Sequence, residues 1–126
     1  MTSHRTVLLV EDDHSARELF AYALEVAGWT VRSAADGLSG LRILDVFTPD
    51  VIVLDMRLPA ADGGTVLDSL VARGITAPVV AISGYDDAIE MARAHPRVLA
   101  LIRKPFEPDE LVRTVARARE MVAGGV

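Results

Sequence analysis

Five short apolar runs, each followed by a stretch of helical periodicity, constrain this chain more than any other feature. Residues 7–10 (Val-Leu-Leu-Val) are apolar throughout, long enough for a strand and too short for a helix. Ala16, Leu19, Phe20, Ala23, Leu24 and Ala27 then recur at the three- and four-residue spacing of one helix face. Asp13 is placed to cap that helix, and Gly28 stands where a C′ glycine belongs. Thr30–Ala34 predicts a second strand, and Leu38, Leu41 and Leu44 a second helix opened by Asp36. Residues 51–54 form the strongest strand pattern, continuous and mostly β-branched. Val66, Leu67, Leu70 and Val71 mark a third helix closed by Gly74. Pro78 leads into a strand over 79–82, a weaker helix covers roughly 88–94, and 98–102 is the fifth strand. Pro108 at the N1 position starts a last helix carrying Leu111, Val112, Val115 and Val122.

Strands that are apolar on both faces belong in a parallel sheet covered by helices on both sides. The pattern is therefore (βα)5, and it suits an α/β doubly wound, flavodoxin-like sheet of strand order 2-1-3-4-5. The 126 residues, 1–126, are expected to fold as one domain. There is no cysteine, which rules out disulfides and thiolate chemistry and suits a reducing cytoplasm, the expected location. The polar residues 1–5 and the three acids after residue 10 match neither a signal peptide nor a membrane span. A net charge of −5 argues against direct nucleic-acid binding, where clustered cations supply most of the affinity.

Ligands of such sheets bind beyond the carboxyl ends of the strands, at the switch point between strands 1 and 3. Strand 1 runs into Glu11-Asp12-Asp13, and strand 3 into Asp55. Like charges this close repel by roughly 4 kcal/mol per pair at an effective dielectric near 20. A hard divalent cation with oxygen ligands offsets that, and Mg²⁺ suits a site of one or two carboxylates plus phosphate. Strand 4 ends in Ser83 and strand 5 in Lys104, the chain's single lysine. Carboxylates for a metal thus converge with a hydroxyl and an ammonium for an anion. Taken singly, an acid after a strand is a helix cap, Ser83 a turn residue and Lys104 a solvated cation; the coincidence at four strand ends favours a site.

These segments also resemble a known family. Val10-Glu11-Asp12-Asp13, Asp55 to Gly63 (Asp-Met-Arg-Leu-Pro-Ala-Ala-Asp-Gly), Ser83-Gly84 and Lys104-Pro105-Phe106 are similar to the receiver domain of two-component response regulators, in order and spacing, over almost the whole chain. The resemblance implies that Asp55 is phosphorylated by a histidine kinase or histidine phosphotransferase. It implies that Glu11, Asp12, Asp55 and the main-chain carbonyl of Arg57 hold Mg²⁺, with Asp12 the direct ligand of the acid pair. It assigns the phosphoryl-contacting hydroxyl and ammonium to Ser83 and Lys104, and it makes the Lys104-Pro105 bond cis. It implies a phosphoacceptor that catalyses its own phosphorylation and slow dephosphorylation, rather than an enzyme acting on a separate substrate. It also implies a switch on the strand 4–helix 4–strand 5 face, an output partner, and dimerisation on phosphorylation as one outcome.

Two departures stand out. Leu101 occupies the position where the family often carries an aromatic switch residue, and His95-Pro96-Arg97 replaces a commoner small-residue link. Arg57 and Tyr85, each two residues past a site residue, are bulky and are expected to flank the path of an attacking water. His4, His14 and His95 read as surface residues, Trp29 and Phe20 as core or rim, Phe106 as an anchor of the Lys104-Pro105 turn, and Asp62-Gly63 as a turn. Three other readings share the fold pattern, and one of them, a receiver that works by protein contact without phosphorylation, is opposed by the intact set of site residues. A flavin-type binder needs a Ser-, Thr- or Gly-rich phosphate loop after strand 1, where three acids stand instead. A phosphohydrolase needs a general acid and a substrate cap, and the sequence displays neither.

Overall fold

The computed structural model describes residues 5–124. Strands β1 (Thr6–Val10), β2 (Thr30–Ala34), β3 (Val51–Asp55), β4 (Val79–Ser83) and β5 (Val98–Arg103) alternate with helices α1 (His14–Val26), α2 (Gly37–Ile43), α3 (Gly63–Ala72), α4 (Asp86–Ala94) and α5 (Pro108–Gly124). All strand pairs are parallel, and the sheet order is β2-β1-β3-β4-β5, as the alternation predicts.

The period-2 geometry of the strands divides the core in two. Leu8, Val10, Ile52, Leu54, Val79 and Ala81 face α2, α3 and α4, meeting Leu41, Leu67, Leu70, Ala88 and Ala92. Val7, Leu9, Val51, Val53, Val80 and Ile82 face α1 and α5, meeting Phe20, Leu24, Trp29, Leu111 and Val115. The central strands are buried along their length except at Thr6, the half-buried start of β1, whereas the edge strands β2 and β5 are only partly covered.

The starts of the first three helices are set by aspartates. Asp13, Asp36 and Asp62 each accept a main-chain N–H from the first turn of α1, α2 and α3. Asp62 and Gly63, expected as a turn, are instead the cap and first residue of α3; the helix begins ahead of its first buried aliphatic residue, Val66. Gly28 and Gly74 close α1 and α3 with φ of 101° and 70°, the left-handed conformation that glycine adopts without strain. Leu19, Val71 and Val122 share the helical spacing of core residues but face solvent, because nothing packs over the flank each occupies. Among the described residues, no helix is long and apolar enough to cross a membrane.

Candidate functional site

Four strand ends meet at the carboxyl edge of the sheet. The β1–β3 pairing sets the ends of β1 and β3 side by side, so Glu11 and Asp12 arrive next to Asp55. Glu11 is fully buried, Asp55 nearly so, and Asp12 is exposed. Carboxylate oxygens of Glu11, Asp12 and Asp55 lie within 4.8 Å of one another.

Lys104 reaches into this group from the end of β5. Its Nζ donates to Glu11 Oε1 and to Asp55 Oδ2, both at 2.8 Å. The other Asp55 oxygen, Oδ1, accepts the main-chain N–H of Arg57 at 2.9 Å. Glu11 Oε2 accepts the main-chain N–H of Asp13 at 3.1 Å. Burial pushes the Glu11 carboxyl up to about 7, against the pull of Lys104 and the Asp13 N–H and with a further push from Asp55. Burial alone would lower Lys104, but its bonds to Asp55 and Glu11 outweigh that and hold its pKa above the usual lysine value. The contacts thus favour the charged form of Lys104, while burial favours the neutral form of Glu11. The peptide bond Lys104-Pro105 is cis, as the resemblance implies. Phe106 next to it stacks on Phe20 of α1, ring centroids 5.0 Å apart.

Ser83 ends β4 one residue past the Asp55–Ile82 pair and is fully buried. Its Oγ accepts the N–H of Tyr85 at 3.1 Å. It does not line the adjacent pocket. That pocket, about 520 Å³, is lined by Glu11, Asp12, Asp13, Asp55, Arg57, Gly84, Tyr85 and Lys104. Arg57 and Tyr85 flank it as expected. The guanidinium carbon of Arg57 lies 4.2 Å from the Tyr85 ring centroid. Arg57 also donates to both Asp87 oxygens at 2.8 Å, and this bond holds the Asp87 carboxyl below the usual range.

Three participants escaped the sequence. Arg17 donates to the carbonyls of Glu11 and Asp12 and so ties down the acidic loop. Asp87 and Arg103 join the surroundings of the site by ion pairs whose partners lie 30 and 17 residues away. Arg17's place one turn into α1 is the one sequence signal that could have found it. His95 departs from expectation: its side chain is only 17% exposed, with Nε2 3.3 Å from Asp68 Oδ1 and Nδ1 accepting the N–H of Arg97. His14 is a surface residue as expected, 2.6 Å from Glu18. His4 lies outside the described residues.

The family model for the response regulator receiver domain matches residues 7–116. The chain belongs to this family. Similar proteins include the Regulator of RpoS of Escherichia coli, 33% identical over 94% of this chain, and the C4-dicarboxylate transport transcriptional regulatory protein DctD of Rhizobium meliloti, 30% identical over 95%. The chain spans about a third (34%) of the first and about a quarter (26%) of the second. Among solved structures, the receiver domain of NtrX from Brucella abortus superposes with a TM-score of 0.82 at 34% identity, covering 90% of this receiver and 98% of that chain. The fold and strand order of this receiver are those of its relatives.

Proposed function

We propose that this receiver accepts a phosphoryl group on Asp55 from a phosphohistidine of a histidine kinase or histidine phosphotransferase. The observation that carries this reading is the Asp55 carboxylate itself, buried yet open to a polar pocket, with one oxygen on the Lys104 ammonium and the other on the Arg57 N–H. Those two donors orient the nucleophile. In the reaction an Asp55 oxygen forms a bond to phosphorus and the P–N bond of the donor breaks, its electron pair staying on the ring nitrogen; the imidazole leaves neutral, keeping the proton already on its other nitrogen. Lys104 stands where it can follow the transferred group and neutralise a phosphoryl oxygen. Ser83 spends an acceptor lone pair on Tyr85 N–H, and its hydroxyl proton remains available for a phosphoryl oxygen. That bond would pull the start of α4 toward the site and alter the β4–α4–β5 face, where an output partner or a second copy would read the change.

The donor set fits Mg²⁺: three carboxylates and a main-chain carbonyl are all hard oxygen ligands, and their charge exceeds what Lys104 neutralises. Glu11, Asp12, Asp55 and the Arg57 carbonyl would hold the ion, whose charge would offset both the acids and the equatorial phosphoryl oxygens. Mass spectrometry after incubation with acetyl phosphate and Mg²⁺ tests the proposal. One phosphoryl group is expected, absent without metal and absent from Asp55→Asn. Full labelling of that variant would overturn the assignment.

A further inference from the structure

The start of α4 differs from those of α1, α2 and α3. Its N-cap residue, Tyr85, provides no side-chain hydrogen bond, whereas Asp13, Asp36 and Asp62 cap the three preceding helices. The first turn is tied to its neighbours by two arginines instead. Arg103, at the end of β5, bonds Asp86 at 2.6 Å, and Arg57, between β3 and α3, bonds both oxygens of Asp87 at 2.8 Å. Arg57 also rests on the ring of Tyr85, the residue that leads into the helix.

Arg57 therefore belongs to two places at once. Its main-chain N–H holds Asp55, and its guanidinium holds α4. Among the described side chains lining the pocket, Arg57 is the one that hydrogen-bonds into α4. Lys104 is committed to Glu11 and Asp55. Among the described residues, the Ser83 hydroxyl meets the Tyr85 N–H, ahead of the helix.

A phosphoryl group on Asp55 would bring close to two negative charges and three strong acceptors into the pocket that Arg57 borders. Asp87 offers one carboxylate, exposed to water and weakened by screening. The planar fork of arginine pairs with phosphate oxygens as well as with a carboxylate. We propose that Asp87 is a positioning residue for Arg57: it holds the guanidinium off the phosphorylation site at rest, and phosphorylation draws Arg57 away from it and so releases the first turn of α4. The inference rests on the phosphoacceptor reading above. The exchange is non-covalent, one ion pair for another, and the Tyr85 ring serves as the pivot. The Asp86–Arg103 pair is untouched, so the first turn loosens on one side only.

Beryllofluoride with Mg²⁺, a stand-in for the phosphoryl group on Asp55, provides the test on the full chain. Coupling between the two events is reciprocal, so removing Asp87 should tighten beryllofluoride binding. Asp87→Ala and Asp87→Asn should each do so by roughly two- to fivefold, the span of an exposed ion pair. In an Arg57→Ala background the same substitutions should have no effect, which a merely structural role for Asp87 would not predict. The α4 amide resonances of unliganded Asp87→Ala should also move toward the beryllofluoride-bound positions of wild type. Unchanged or weaker binding by both variants, or an equal gain without Arg57, would overturn the relay. Acetyl phosphate labelling separates the two levels of failure. A wild-type chain that labels at Asp55 while the cycle is flat loses only the relay; one that neither labels nor binds beryllofluoride loses the phosphoacceptor reading and the relay with it.

Discussion

Lys104 serves two carboxylates with one ammonium, and the fully buried one, Glu11, bears most of the desolvation. Because burial raises the Glu11 carboxyl to about 7, a proton would compete with Mg²⁺ for it at the proposed metal site. Above about 7 the carboxylate would be free to serve the cation, and below it the proton would first have to leave. Apparent Mg²⁺ affinity should fall about tenfold between pH 8 and 6 for one competing proton. Glu11→Gln should bind more weakly at pH 8 and lose that slope; titration calorimetry at the two pH values checks both, and an unchanged slope would clear Glu11 of the role. Arg57 and Tyr85 bear on a different quantity in the proposed reaction, the lifetime of the phosphorylated state. Their stack borders the pocket through which water would reach the acyl phosphate. Whether Arg57 rests on Asp87 or turns to the phosphoryl group, bulk stays over that path. Arg57→Ala/Tyr85→Ala should speed loss of phosphate about fivefold, equivalent to roughly 1 kcal/mol of barrier. Decay at the wild-type rate after donor removal would place control of lifetime elsewhere.

At the scale of elements, what could be read from the sequence followed burial. β3 and β4 were legible because both faces are covered, so nearly every residue is apolar. The edge strands were legible in place but not in exposure, since β5 leaves Leu99 outside. Helical spacing could not tell Phe20 from Leu19, because period identifies a face and not the neighbour that covers it. The site residues at strand ends were legible for a topological reason: the order 2-1-3-4-5 brings Glu11 to Lys104 although 93 residues separate them. The Arg57–Asp87 and His95–Asp68 pairs depend on how loops lie against α4 and α3, which no local pattern encodes. Packing also constrains the loop that carries Arg57. A Cβ on Gly37, the first residue of α2, would stand 1.9 Å from the Ala61 carbonyl oxygen and 2.9 Å from Val66 Cγ2. The obstacle is main chain, so α2 or the loop after β3 must move. Gly37→Ala should cost about 1–3 kcal/mol, as overpacking does. A urea midpoint equal to wild type would show that the loop yields freely.

The whole molecule has two unlike ends. At the amino edge of the sheet, Asp50 accepts from the Thr6 N–H and hydroxyl and lies 3.7 Å from Arg119, so charge there is paired. At the carboxyl edge, Glu11, Asp12 and Asp55 face a single ammonium, in a chain already at −5. Asp12 is the member whose removal costs least: it is exposed, and its side chain makes no hydrogen bond to any described residue. Its charge acts on Glu11 and Asp55 across about 5 Å, a repulsion of about 1–3 kcal/mol between water-like and protein-surface dielectric. Lys104 and screening cancel part of this. In EDTA, Asp12→Ala should therefore melt higher than wild type, by about 4 °C for roughly 1 kcal/mol of relief. Excess Mg²⁺ should reverse the order. Wild type gains binding energy that grows with ligand concentration over Kd, while the variant, short of a proposed direct ligand, gains little. Thermal unfolding of both proteins in the two buffers gives four midpoints, and their crossing is the signature. A variant that melts lower in both would mean that Asp12 supports the acidic loop itself, and that the strain at this end of the sheet lies in Glu11 and Asp55 alone.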